Sequence, residues 1–221
     1  STIETPPEER LPVHTMVVRY NPQLIREAIM REVERNGQVF FVHNRVQSIG
    51  EINRKLKEIV PEARFSLAHG QMDEDELAQV MLDFTSGKTD VLICTTIIES
   101  GLDVPNANTL IVNRADKFGL IQLHQLRGRV GRGTAAGYTY FVYDDEEKLT
   151  EDGRRRLRTI YELAQLGSGF DIAMKDLEIR GAGTLLGTHQ SGHIAAVGFN
   201  MYTELLKQAV EEEKARRAGI A

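Results

Sequence analysis

The chain has 221 residues, 41% of them hydrophobic and 27% charged, with a net charge of −5. That length allows one good-sized core plus an appendage, and the acidic balance excludes the uniformly basic surface of a simple DNA-coating protein while leaving room for a local basic groove. The lone cysteine, Cys94, excludes an internal disulfide and fits a reducing, cytoplasmic setting.

The opening STIETPPEERLPV, without a starting Met, reads as a cut through a longer protein. VHTMVV follows as a β-branched strand candidate. NPQLIREAIMREVERNG then reads as a helix with Asn21 as N-cap, Pro22 at the first helical position and Gly37 as the C-terminal stop. QVFFVH is short and apolar, as a strand buried on both faces must be. Ile49, Ile52, Leu56 and Ile59 repeat at helical spacing, and RFSLAH is the next strand candidate. Leu77, Val80, Met81 and Phe84 form another helical stripe, opened by Asp73 with Glu76 three residues on, the spacing of a capping box. DVLICT, NTLIV and YTYFVY complete the strands, and Cys94 inside the first of these reads as a buried, inert thiol. Parallel neighbours need crossovers, so strands alternating with helices predict a doubly wound parallel α/β sheet.

The pattern changes after DDEEKLTED. GRRRLRTIYELAQLGS reads as a helix stopped by Gly167, the next stretch is rich in glycine, and FNMYTELLKQAVEEEKARR reads as an amphipathic helix. Residues 1–145 are therefore expected to form the α/β lobe, and 146–221 a mostly helical and looped appendage. No apolar stretch approaches 18 residues, so no membrane span is expected.

HQLRGRVGRG, residues 124–133, holds three arginines within six positions, and the residues between them are mostly glycine. Arg129 and Arg132 stand three apart on a backbone that Gly128, Gly131 and Gly133 leave free to turn. Guanidinium groups suit phosphate because they are planar forks of donors that never lose charge. The stretch lies between a helix predicted over about 118–127 and the strand YTYFVY. Because ligands of doubly wound sheets bind at the carboxyl ends of the strands, it reads as an interface loop there. The plainer reading is a solvated basic loop. TTIIESGLDVP, straight after the strand DVLICT, adds the hydroxyls and N–H groups of Thr95 and Thr96 for phosphate. It also holds Gly101 for close approach and Asp103 to accept from a sugar hydroxyl or to cap a turn.

These stretches resemble the second motor lobe of superfamily two helicases and translocases. TTIIESGLDVP is similar to motif V, and Gln125, Gly128, Arg129, Gly131 and Arg132 match motif VI. FFVHNR and AHGQM match the motif IV region in order and spacing. The blocks FFVHNRVQSI, AHGQM, CTTIIESGLDVPNANTLIV and RADKFGLIQLHQLRGRVGRG together resemble the bacterial transcription-repair coupling factor family. RecG branch-migration helicases share the last two blocks. DLEIRGAGTLLGTHQSGH is similar to the TRG (translocation in RecG) motif of both groups.

The resemblance implies a RecA-like lobe followed by a helical hairpin and hook that turn ATP turnover into movement along double-stranded DNA. Arg129 and Arg132 are then arginine fingers reaching a nucleotide, a device worth roughly 10³–10⁵ in rate. Glu99, Gly101, Asp103, Gln125 and Gly128 are nucleotide or interlobe contacts, with a helix-terminal hydrogen bond as the alternative for Gln125. Arg127 is left outside the catalytic set, pairing with the acidic segment or DNA. His43, Asn44, Arg45, Gln71, Thr95 and Thr96 are the DNA contacts by family position. Arg180, toward the finger loop, and Gln190, on the hook, are the coupling residues, the alternative for Arg180 being a solvated helix end.

The sequence holds no G-x-x-x-x-G-K-[ST] loop and no acidic box of the D-E-x-[DHQ] type. The lysine on the phosphates and the aspartate on Mg²⁺ are thus expected on a partner lobe of the same protein, where ATP with Mg²⁺ is mainly bound. The 221 residues alone are expected to be inactive and to carry no cofactor. RNA polymerase and excision-repair proteins are the partners implied for the parent protein, with no membrane. A RecG-like lobe for branched DNA, or a non-catalytic protein- or nucleic-acid-binding module, are the alternatives. His189 and His193 lack the base glutamate of a zinc site, and GAGTLLG has its third glycine one residue late for a dinucleotide fingerprint. Neither metal nor NAD is expected.

Overall fold

The computed structural model describes residues 13–95, 104, 106–131, 133, 135–165 and 219. Its order is β1 (Val13–Arg19), α1 (Pro22–Glu34), β2 (Gln38–Val42), α2 (Val46–Ile59), β3 (Phe65–Ala68), α3 (Glu74–Thr85), β4 (Val91–Cys94), β5 (Ala107–Val112), α4 (Leu120–Arg127), β6 (Gly137–Tyr143) and α5 (Glu151–Ala164). One compact unit comprises the described residues up to Arg114 together with Leu126–Glu146. A second comprises Ala115–Gln125 together with those from Glu147 on.

All six strands belong to the first unit and run parallel, in the order β1-β6-β5-β2-β4-β3. The central strands β2, β4 and β5 are buried along their whole length, which is why they read as unbroken apolar runs. On one face, Ile25, Ala28 and Ile29 of α1 and Ile49 and Leu56 of α2 close over Val39, Phe41, Val91, Ile93 and Ile111. On the other, Phe84 of α3 meets Phe40, ring centroids 5.3 Å apart. Helices on both faces make the sheet doubly wound, as the alternation predicts.

Local details refine the expected ends. Asn21 caps α1, its side chain accepting from Gln23 N at 2.9 Å, with Pro22 next. The left-handed stop falls one residue before the predicted glycine: after α1 ends at Glu34, Asn36 takes φ 59°, and Gly37 N donates to Glu32 O at 2.7 Å. Gly37 is required for a different reason, since a Cβ there would collide with Glu32 Oε1. Asp73 precedes α3 but its side chain makes no cap hydrogen bond, so the capping box is not formed.

Glu32 is fully buried on the α1 face. Arg35 donates to it at 2.7 and 2.6 Å, and Thr109 Oγ1 donates as well. Arg35 also donates to Ala136 O at 2.7 Å, tying this ion pair to the segment entering β6.

In the second unit, Thr150 caps α5 by accepting from Gly153 N at 3.0 Å, so the helix starts two residues before the predicted GRRRLR. Leu157, Ile160 and Leu163 form its buried stripe, and Arg156 donates to Asp116 O at 2.6 Å. The predicted stop at Gly167 and the hairpin and hook lie outside the described residues.

Candidate functional site

Strand order decides which loops are neighbours. Along the carboxyl edge the ends of β5, β2, β4 and β3 follow one another, bringing Asn113 and Arg114, then His43 to Arg45, then Thr95, then His69 to Gln71 into one row. Asn44, Arg45 and Gln71 are exposed, and no described residue engages their side chains in a hydrogen bond or ion pair. Arg45 begins α2, with extended backbone and no capping role for its side chain. This row thus presents a guanidinium and two amides to solvent at loops fixed by buried strands.

His43 and Thr95 differ from the expectation of direct DNA contacts. His43 is 2% exposed and Thr95 is 6% exposed. Thr95 N donates to Ala68 O at 3.3 Å, so the N–H expected to meet phosphate instead links β4 to β3. Both nitrogens of His43 are engaged: Asn113 Nδ2 lies 3.0 Å from Nδ1, and Nε2 lies 2.7 Å from Ser48 Oγ. With the Asn113 amide donating, Nδ1 is the acceptor and the Nε2–H donates to Ser48. Burial first, then the guanidiniums of Arg114 and Arg45, pull the imidazole down to about 4 against the opposing Asp144. His43 is therefore a neutral strut joining the end of β5 to the first turn of α2.

Arg114 was not among the sequence candidates. It follows β5, takes φ 51° and lies 3.3 Å through Nε from Asp144 Oδ2, with the two side chains 43% and 45% exposed. The available signal is an Asn-Arg pair directly after the apolar run NTLIV, similar to Asn44 and Arg45 shortly after β2.

The arginine loop is not at the carboxyl edge. It enters β6, so in a parallel sheet it lies at the opposite, amino edge. A Cβ on Gly131, at φ 76°, would collide with Val13 Cγ2. A Cβ on Gly137 would stand 2.9 Å from Gly131 Cα. The loop backbone therefore rests directly on the first residues of β1 and β6. Arg127 Nε donates to Thr15 Oγ1 at 2.7 Å, anchoring the loop's start. Arg129 N donates to Leu126 O at 3.0 Å; its half-exposed guanidinium makes no hydrogen bond or ion pair with any described residue. Gly128 is exposed beside it. Gln125, in the second unit, is exposed, and its predicted helix-terminal hydrogen bond is not formed among the described residues.

Thr96, Glu99, Gly101, Asp103, Arg132, Arg180 and Gln190 lie outside the described residues, as do His189 and His193. Among the described residues no cluster of His, Cys, Asp and Glu is arranged to hold a metal ion, and no helix is long and apolar enough to cross a membrane. Burial pushes the Cys94 thiol far up, which keeps it protonated and unreactive.

The family model of the helicase conserved C-terminal domain matches residues 20–134. The transcription-repair-coupling factor of Bacillus subtilis (strain 168) is 56% identical over 97% of this chain; the chain spans 18% of that relative's length. Among solved structures, RecG bound to a three-way DNA junction aligns with 93% of this chain and 27% of its own, at 36% identity and a TM-score of 0.64. A DEAD box protein from the hyperthermophile Methanococcus jannaschii aligns with 70% of this chain and 40% of its own, at 18% identity and a TM-score of 0.51. The last likeness is one of fold, a RecA-like helicase C-terminal lobe.

Proposed function

The chain belongs to the helicase conserved C-terminal domain family, and from that premise we propose that it is the C-terminal motor lobe of an ATP-driven double-stranded DNA translocase. The parent protein releases stalled RNA polymerase and couples transcription to excision repair. The observation that carries this reading is the identity of 56% along 97% of the chain with a transcription-repair-coupling factor. Residues 1–145 are the lobe, and 146–221 the translocation appendage in which Arg180 and Gln190 couple hydrolysis to movement.

In this reading Arg129 and Arg132 reach the γ-phosphate of an ATP whose Mg²⁺ and phosphates are gripped by the other RecA-like lobe. A guanidinium at Arg129 that no described residue engages fits that role, because among the described residues no carboxylate has to be displaced before it meets phosphate. Glu99, Gly101, Asp103, Gln125 and Gly128 complete the nucleotide-facing and interlobe contacts. Asn44, Arg45, Gln71 and Thr96 meet the DNA backbone, where short polar groups position the motor without reading bases. His43 and Thr95 hold those loops from beneath.

The test is single-turnover release of a stalled polymerase by the full-length protein on linear double-stranded DNA. ATP-dependent release is expected. Reversal of a branched junction without polymerase release would favour a RecG-like motor instead. DNA binding with no ATP hydrolysis at all would leave only a binding module.

A further inference from the structure

We propose that Arg114 is a further contact to a DNA backbone phosphate, beside Arg45, with Asp144 as a counter-ion that the phosphate displaces. The inference rests on the reading of this edge as a DNA track and extends that track by one strand. β5 is hydrogen-bonded to β2 with Val112 opposite Val42, so Arg114 and Arg45 leave neighbouring strands two and three residues past a registered pair. Both guanidiniums act electrostatically on the same imidazole, that of His43, which places both of them near one strut. A neutral His43 adds no third positive charge to this edge.

The backbone adds an independent observation. Arg114 holds φ 51°, a left-handed conformation that strains a side-chain-bearing residue and suits glycine. The turn alone would be served better by glycine; an arginine there keeps its guanidinium at the sheet edge. Its pairing with Asp144 is open to water on both sides, and such solvated pairs hold only weakly. A phosphate can therefore replace Asp144 at little cost. Beyond Asp144 lie Asp145, Glu146 and Glu147, an acidic border that repels phosphate and makes β5 the last strand end of the track.

The experiment is binding of the full-length protein, with a non-hydrolysable ATP analogue, to a 40-base-pair duplex across a series of salt concentrations. Arg114→Gly removes the guanidinium and suits the left-handed backbone, so the lobe keeps its fold. Several-fold weaker binding is expected, with the slope of log affinity against log salt reduced by about 0.9, one phosphate contact. Asp144→Asn should act in the opposite sense and tighten binding, and that gain should vanish in the Arg114→Gly background. A purely structural ion pair would give losses from both changes. Unchanged affinity and slope in Arg114→Gly, while Arg45→Ala lowers both, overturns this inference and leaves the motor reading intact. If Arg45→Ala is silent as well, the DNA track at this edge falls with it.

Discussion

The two edges of the sheet are built differently. At the carboxyl edge, buried strands stop abruptly and exposed polar side chains follow within three residues, propped from below by His43 and by the Thr95 N–H. At the amino edge the backbone itself is the packed surface: Gly131 rests on Gly137 and Val13, Arg127 is tied to Thr15, and the buried Glu32–Arg35 pair reaches Ala136. An edge that follows an extended duplex needs several modest contacts of equal rank. A loop that must bring a guanidinium to one developing charge needs a fixed backbone, because misplacement by an ångström forfeits much of the rate. On the proposed reading the carboxyl edge tracks DNA and the amino edge serves the nucleotide.

Four perturbations test that contrast. Arg129→Ala has the largest expected effect: DNA-stimulated hydrolysis by the full-length protein falls by roughly 10³-fold or more, while duplex affinity stays within about twofold. Steady-state ATPase assays with a parallel binding titration check both halves.

Glu32→Ala leaves Arg35 without its buried carboxylate. Equilibrium unfolding of the lobe should show a loss of about 1.5–3 kcal/mol, the scale of a hydrogen bond to a charged group, because the stranded Arg35 is itself 29% exposed. The same variant, assayed below its transition, should lose hydrolysis more than DNA affinity, since the ion pair braces the amino edge.

A pH titration addresses the strut at the other edge. His43 titrates near 4 in the folded lobe, below its unfolded value of about 6.5, so acid favours the unfolded chain. Above 6.5 the imidazole is neutral in both states and its contribution is complete. It is lost as pH falls from about 6.5 to about 4, by on the order of 3 kcal/mol, and then stays constant. His43→Gln keeps one donor and one acceptor and should flatten that part of the stability profile.

Arg45→Ala is the smallest change: several-fold weaker duplex binding, a salt slope lower by about 0.9, and hydrolysis unaltered at saturating DNA. Loss of hydrolysis at saturating DNA would mean the two edges are not separable.

Much of this was legible in the sequence. β2, β4 and β5 are buried on both faces and so stand out as unbroken apolar runs, and the Asn21-Pro22 start of α1 has its chemistry in two adjacent residues. Asn44, Arg45 and Gln71, candidates by family position, lie just past strand ends, because residues that follow a strand in a parallel sheet emerge at its carboxyl edge. The arginine loop lies at the amino edge and not at the expected carboxyl edge because it precedes its strand instead of following it. His43 was invisible as a strut because its partners, Asn113 and Ser48, sit 70 residues away along the chain and in the next helix. Asp73 shows that capping-box spacing alone does not close the hydrogen bond.

The most direct measurement is a structure of the full-length motor on duplex DNA with a γ-phosphate transition-state analogue. The account predicts a guanidinium of Arg129 or Arg132 within about 3 Å of the analogue and DNA phosphates lying against Asn44 and Arg45. Both finger guanidiniums turned away from the analogue, with the duplex lying across the amino edge, would contradict it.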